Sequence, residues 1–219
     1  MNKIGFNVLA WSAAMSEELF PVLDRLKNIG YDGVEFFVGS PDDAVYKRIG
    51  DYCADLGLEV ASVILLGAEE NPIDPSPRVR EKGLEKLKWG IDRSHELQSM
   101  HICGPFHSAF TTFAGRAPVE DEYDRSAEVL HAAGEYAAQA GIMLIPEAVN
   151  RFECYLCNTM GQLVHLVNKV DHPHVKAMFD THHANMEEKN FKEAIRVVSP
   201  LLSHVHISEN DRGTPGSGH

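Results

Sequence analysis

The order of predicted strands and helices indicates an α/β protein, specifically a (β/α)8 TIM barrel of which this chain supplies about seven strands and six helices. Three observations support this fold class. Short apolar runs alternate with helical patterns, which is typical of a parallel sheet with right-handed crossovers. No Gly-x-Gly-x-x-Gly motif, as found in dinucleotide-binding open sheets, follows the first strand. Polar residues stand at the ends of several strands, where barrels place their chemistry.

The predicted strands are mostly apolar runs bounded by turn residues or by helix ends. The first follows the N-terminus almost directly, and the last lies shortly before a glycine-rich segment. The seven strands are expected at residues 4–10, 34–38, 58–66, 100–103, 142–147, 175–180 and 202–207.

The intervening helices show apolar residues at helical spacing together with end signals. Ser16 is a suitable N-cap for the first helix, and Gly30 is placed as its C-cap. Gly57 is expected to end the second helix, and Pro77 suits the first turn of the third. The six helices are expected at about residues 16–29, 42–56, 76–98, 118–140, 159–170 and 187–198.

Chain length limits how much of the barrel can be present. A complete (β/α)8 barrel typically needs about 250 residues, whereas this chain has 219. We therefore expect a single domain, residues 1–219, that is truncated at its C-terminus and lacks strand eight. Strands one and seven would then be unpaired edges.

Composition excludes several classes of function. The net charge of −12 is spread along the chain and argues against a nucleic-acid surface, which needs clustered Lys and Arg.

We expect no membrane span and no signal peptide, because no apolar run reaches the roughly 18 residues of a span. Cys53, Cys103, Cys154 and Cys157 do not form a disulfide framework, and the single C-x-x-C lacks the second pair of a zinc ribbon. We predict free thiols in a cytoplasmic protein.

Three polar residues mark the ends of predicted strands five, six and seven: Glu147, Asp180 and His206. Because strand ends meet at one mouth of a barrel, two carboxylates and an imidazole there predict a divalent metal site. Each residue also has a structural interpretation. Glu147 could form an ion pair, Asp180 could cap the next helix, and His206 could be a core histidine, as could His204 on the same strand face.

Three further polar residues follow these positions at short offsets. Glu153, His183 and Arg212 each lie in the segment after a predicted strand, from which the side chain could reach back over the mouth. Individually they are weak signals, because loops are generally polar and each residue could be solvated.

Three runs carry a family resemblance: IPEAVNRFE at 145–153, FDTHHANMEE at 179–188 and HVHISENDRGTPGSGH at 204–219. They resemble the D-tagatose/D-psicose (allulose) 3-epimerase family, which belongs to the xylose-isomerase-like TIM-barrel sugar isomerases and epimerases. The resemblance covers the whole chain in layout and is most specific in the last run.

The resemblance implies an enzyme that inverts C3 of a free ketose by proton transfer through a metal-bound enediolate. Glu147, Asp180 and His206 would hold one divalent ion, Mn²⁺ first and Co²⁺ or Mg²⁺ otherwise, with Glu147 also an acid/base residue. Glu153, His183 and Arg212 would bind the ketose near C1 to C3. Members of the family form homodimers or homotetramers.

In the family a second glutamate, on strand eight, is both a ligand and the second acid/base group. This chain ends before that strand, so a non-catalytic metal- or sugar-binding remnant stays open as an alternative. A hydroxypyruvate-isomerase-like enzyme or an inosose dehydratase would share the three ligands, although Glu153, His183 and Arg212 favour the epimerase. An endonuclease-IV-like enzyme is disfavoured by the acidic charge and by the apolar end of strand three.

Overall fold

The computed structural model describes residues 2–218 and contains seven strands, each parallel to its hydrogen-bonded neighbours. Met1 and His219, which begin and end the predicted domain, lie outside the described residues. The strands are β1 (Gly5–Asn7), β2 (Gly33–Phe37), β3 (Glu59–Val63), β4 (Ser99–Gly104), β5 (Met143–Pro146), β6 (Ala177–Asp180) and β7 (Leu202–His206).

The strands follow one another around the sheet in chain order. β1 to β5 form one ladder and β6 pairs with β7. Leu144 in β5 joins the two ladders: its N–H donates to the carbonyl of His174 at 2.8 Å, and its carbonyl accepts from the N–H of Lys176 at 2.9 Å. Within residues 2–218 no ladder connects β7 to β1, so both are edge strands, as predicted.

Helices cover the outer face of this sheet, and Gly30 and Gly57 end the first two in left-handed conformations, at φ 108° and 66°. None of the described helices combines the length and apolar character that crossing a membrane requires. The helices are α1 (Phe20–Ile29), α2 (Asp43–Leu56), α3 (Pro77–Glu96), α4 (Glu120–Gln139), α5 (Met160–Val170), α6 (Thr181–Glu187) and α7 (Phe191–Val198).

The N-terminal elements are shorter than predicted. β1 stops at Asn7, because the Asn7 side chain accepts a hydrogen bond from the N–H of Leu9 and starts a 3-10 turn. The predicted N-cap Ser16 makes no capping hydrogen bond; a 3-10 turn at Glu17–Leu19 intervenes, and α1 begins at Phe20.

The helix predicted at 187–198 is present as α7, which starts later, at Phe191, and a separate short helix that was not predicted, α6, precedes it. α6 begins directly after β6, where the Asp180 carboxylate accepts from the N–H groups of His182 and His183. The chain is extended at Glu188, and α7 starts afresh with Asn190 as its N-cap. Two separate capping side chains explain the division.

The apolar core lies on both faces of the sheet. Two clusters fill the space between helices and strands, with Leu23 of α1 and Leu130 of α4 fully buried. Ile102 belongs to this outer layer and its neighbour Cys103 to the inner face, as the alternation of a strand requires. The small inner cluster consists of Val63, Cys103, Ile145 and Met178.

Gly83 of α3 is a position where backbone approaches backbone. A Cβ added there would lie 2.5 Å from the Glu70 carbonyl oxygen, whereas at the exposed Gly161 of α5 the nearest atom is the Thr159 hydroxyl at 3.9 Å. We predict that Gly83→Ala lowers the free energy of unfolding by about 1–3 kcal/mol. The control Gly161→Ala should raise it by roughly 0.5–1 kcal/mol, since alanine is the better helix former.

Urea unfolding of both variants, followed by circular dichroism, measures the difference. Equal midpoints for the two alanine variants would contradict the close approach of α3 to the Glu70 backbone.

Candidate active site

The structure brings Glu147, Asp180 and His206 together at the carboxyl ends of β5, β6 and β7. The His206 Nδ1 atom lies 3.6 Å from an Asp180 carboxylate oxygen and 3.8 Å from a Glu147 carboxylate oxygen. One ligand atom from each residue lies within 4.8 Å of the others. Asp180 pairs in register with His206, which explains why their side chains share the mouth.

Backbone contacts fix where Glu147 stands. It follows the last residue of β5, and its N–H donates to the carbonyl of Gly104 at 2.9 Å. The buried His107 Nε2 lies 2.9 Å from the Glu147 carbonyl oxygen, which can only accept, so that nitrogen carries the proton. Burial lowers the pKa of His107 to about 4, although the hydrogen bond to this carbonyl opposes the shift. The ring therefore stays neutral and holds the segment after β5.

Asp180 caps the next helix and also faces the mouth, so the two roles that its sequence position left open are compatible. One oxygen, Oδ1, accepts from the N–H of His182 at 2.7 Å and of His183 at 3.3 Å and so caps α6. The other oxygen, Oδ2, faces His206. A helix N-cap and a mouth carboxylate are thus compatible, because the two carboxylate oxygens point to different partners.

The pKa values of the residues at this mouth are set by burial and by the charges of their neighbours. Burial raises the pKa of Glu147 to about 8; the carboxylates of Asp180 and Glu35 add to the shift, and His206 opposes it. Burial also raises the pKa of Asp180, but His206 and His183 outweigh it, so this pKa falls below its usual value. Burial lowers the pKa of His206, but Glu35 and Asp180 together raise it well above the usual value. Without a bound cation, His206 carries the positive charge that the buried carboxylates need.

The predicted substrate-binding residues line the same mouth. The Arg212 guanidinium donates to a Glu153 carboxylate oxygen at 2.9 Å and to the His182 Nε2 at 3.1 Å. The His183 Nε2 lies 3.8 Å from Glu147. Glu153, His183 and Arg212 are therefore within reach of a ligand at the three strand ends, and their roles in binding stay predictions.

Asn150 fixes the orientation of His183. The backbone N–H of Asn150 donates to the His183 Nδ1 at 3.1 Å, and its side-chain amide lies 2.9 Å from the same atom. Burial lowers the pKa of His183 to about 4, so this ring is neutral and its Nε2 faces Glu147 as a hydrogen-bond donor.

Sequence reasoning missed Glu35, which lies inside the barrel beneath this site. Its carboxylate is 2.9 Å from the His206 Nε2 and 3.2 Å from the His204 Nε2. A single carboxylate within the apolar strand Val-Glu-Phe-Phe was the available signal, since such a group is costly to bury unless it is paired. His182 and Asn150 were missed as well, because neither residue type is unusual in a loop.

The donor set at the mouth fits a divalent cation. Two buried carboxylates are hard oxygen ligands, which suit Mg²⁺ or Mn²⁺, and the imidazole nitrogen is a ligand that suits transition-metal ions such as Mn²⁺ or Co²⁺. Among the described residues, His206 is the positively charged group that both Glu147 and Asp180 face within 4 Å, since His183 is neutral. Two carboxylates that share one imidazole in a buried site would gain from a further positive charge.

Two other described clusters carry metal-binding side chains. Glu35, Cys103, His204 and His206 converge in the barrel interior, where Cys103 and His204 donate to Glu35. Glu153, His182 and His183 converge beside the mouth, where Arg212 donates to Glu153 and His182. The four cysteines are buried and free, as predicted.

Comparison with known proteins agrees with this geometry. A model of the xylose isomerase-like TIM barrel family matches residues 23–219. The L-ribulose 3-epimerase of Mesorhizobium japonicum is 32% identical over 219 residues, which are 100% of this chain and 73% of the relative. The D-psicose 3-epimerase of Agrobacterium fabrum is 29% identical over 99% of this chain and 76% of the relative.

The fold also matches that of a solved ketose 3-epimerase structure. A structure of an L-ribulose 3-epimerase superposes on this chain with a TM-score of 0.93 at 32% identity. The match covers 100% of this chain and 74% of the epimerase chain. The predicted TIM-barrel fold and the predicted family resemblance are confirmed.

Substitution can separate the capping role of Asp180 from its predicted role as a metal ligand. Asp180→Asn keeps a good capping side chain, whereas Asp180→Ala removes it, so the alanine variant should be less stable than the asparagine variant by about 1 kcal/mol. Both variants should lose the rise in melting temperature that Mn²⁺ is expected to give the unchanged chain, because both lose a ligand oxygen.

Urea unfolding without metal and thermal unfolding with Mn²⁺ measure the two effects. Asp42→Ala is the matched control: Asp42 caps α2 by accepting from the N–H of Ala44 at 3.1 Å and lies outside the mouth. It should lose stability but keep the response to Mn²⁺. A response that survives in Asp180→Asn would argue against Asp180 as a ligand.

Proposed function

Because this chain belongs to the xylose isomerase-like TIM barrel family, we propose that it is a metal-dependent sugar epimerase that inverts C3 of a free ketose of the tagatose, psicose or fructose type. The convergence of Glu147, Asp180 and His206 at one barrel mouth is the observation that carries the proposal. The epimerase class rests on the curated relatives, which include ketose 3-epimerases from several bacteria. The metal, the sugar and the residue roles are our inference.

Glu147, Asp180 and His206 would hold the divalent ion, with Mn²⁺ the first expectation. When bound, such an ion would supply the positive charge that polarises the C2 carbonyl and stabilises negative charge as the C3 proton leaves. The sequence expectations of a homodimer or homotetramer and of a cytoplasmic location stay predictions.

Glu147 is the candidate acid/base group for one face of the sugar. Its carboxyl is buried, and its raised pKa of about 8 lies near neutral pH, where a general acid/base group works best. In the ion-free protein this carboxyl holds a proton at neutral pH, and a bound cation would favour its ionised form. Glu147 could then take the C3 proton as a carboxylate and return one as an acid.

Side chains around Glu147 are suited to orient a polyol. The neutral His183 presents its Nε2, and Arg212 and Glu153 present paired donors and an acceptor beside it. Hydroxyl groups both donate and accept, so this mixed set can bind several adjacent ketose oxygens. Inversion also requires a proton from the opposite face, and we assign no described residue to that step.

Deuterium exchange tests the proposal. The chain is stripped of metal, loaded with Mn²⁺, Co²⁺ or Mg²⁺, and incubated in D₂O with fructose, psicose or tagatose; the ion is then chelated and the sugars are examined by NMR. We expect deuterium at C3, and Glu147→Gln should slow its entry by at least about 100-fold, because a positioned acid/base group contributes about 10²–10⁴.

Glu120→Gln is the control, since Glu120 is an exposed carboxylate at the start of α4 that pairs with Lys169 and His165. It should leave the exchange unchanged. Deuterium without the C3 epimer would indicate that Glu147 acts alone on one face. The absence of both exchange and epimer, with metal bound, would contradict the proposed activity and favour a binding protein. Hydroxypyruvate and inosose in the same assay test the related isomerase and dehydratase activities.

A further inference from the structure

Glu35 is a buried carboxylate that the proposed chemistry leaves unused. It projects from the middle of β2 into the barrel, and only 5% of its surface is exposed. One oxygen, Oε1, accepts from the Asn7 side-chain amide at 2.7 Å and lies 2.9 Å from the His206 Nε2. The other, Oε2, accepts from the Cys103 thiol at 3.0 Å and the His204 Nε2 at 3.2 Å.

These contacts hold the carboxylate from several strands at once. Asn7 belongs to β1, Cys103 to β4, and His204 and His206 to β7. A side chain that is contacted by residues of three strands cannot adopt another rotamer without losing several interactions. Glu35 therefore helps to hold the end of β7 in place. Among the described strands, β7 forms a ladder with β6.

His206 uses its two ring nitrogens in opposite directions. Nε2 faces Glu35 at 2.9 Å, while Nδ1 faces Asp180 and Glu147 at 3.6 and 3.8 Å. A histidine binds a metal ion through a nitrogen without a proton, and the proton must then sit on the other nitrogen. When a metal ion replaces the Nδ1 proton of the charged ring, a carboxylate at Nε2 would keep the other proton there and leave Nδ1 as the ligand at the mouth.

We propose that Glu35 is a positioning residue for the metal centre: it fixes the ring of His206 with the proton on Nε2 and Nδ1 turned toward Glu147 and Asp180. The inference rests on the proposed function, since it gives His206 its role as a ligand. Glu35 does not touch the mouth and acts through His206. Asn7, Cys103 and His204 in turn fix Glu35.

The first measurement is made on the unchanged, metal-free chain. NMR of protein labelled with ¹⁵N in histidine, with resonances assigned, should show a proton on the His206 Nε2 that is shifted downfield by the carboxylate. In Glu35→Gln this resonance should move upfield, because the acceptor has lost its charge. In the unchanged chain, an unprotonated Nε2 or an Nε2 proton without this downfield shift would overturn the inference, and this result requires no variant to fold.

The second measurement is the dissociation constant for Mn²⁺, obtained by isothermal titration calorimetry. Removing a carboxylate that orients a ligating histidine typically weakens metal binding by about 10–100-fold, which is the effect expected for Glu35→Gln. Glu122→Gln is the matched control: Glu122 is equally buried but pairs with Arg116 and Tyr155 on the outer side of the barrel. It should bind Mn²⁺ as the unchanged chain does.

The outcomes separate this inference from the proposed function. Mn²⁺ binding by a folded Glu35→Gln variant that equals the unchanged chain would overturn the positioning role while leaving the metal centre intact. If the unchanged chain itself failed to bind Mn²⁺, Co²⁺ or Mg²⁺, the proposed function would fail. The His206 resonance would still decide whether Glu35 fixes the ring.

Discussion

One imidazole lies between three buried carboxylates, and the arrangement of the site depends on that constraint. His206 has Glu35 on its inner side at 2.9 Å and Asp180 and Glu147 on its outer side at 3.6 and 3.8 Å. Removing charges from water is costly unless opposite charge replaces the lost hydration. The pKa of His206 is therefore raised and that of Glu35 lowered, while Glu147, the carboxyl buried with the least compensation, has its pKa raised.

The unequal compensation of the three carboxylates indicates where a cation would bind. Glu35 is fully engaged by donors, and Asp180 uses one oxygen to cap α6. The carboxylate with the least compensation is therefore Glu147, which lies on the outer side of His206 at the open mouth. A divalent cation at this point would relieve the repulsion between Glu147 and Asp180. The same electrostatics thus favour a metal centre and a carboxyl poised for proton transfer.

The loop after β5 and helix α6 contact each other beside the mouth. Arg151 lies between Asn150 and the segment that carries Glu153, and its side chain pairs with the Glu187 carboxylate of α6 through Nε at 3.0 Å and Nη2 at 2.8 Å. This pair ties the loop after β5 to the helix after β6. Glu153 of this loop and His183 of α6 therefore lie on two neighbouring segments that are linked by an ion pair, which suits the proposed binding of several sugar hydroxyl groups.

Sequence patterns were sufficient to predict the parallel α/β barrel order, the strand ends that carry Glu147, Asp180 and His206, and the shared face of His204 and His206. These features follow from local rules: apolar period, helix end signals and the two-residue alternation of a strand. The three-dimensional structure was needed to show that Glu35 meets His204, 169 positions along the chain, and that the Asp180 carboxylate both caps α6 and faces His206. Both depend on which strands become neighbours and on how deeply a charge is buried, and no local pattern in the sequence encodes either.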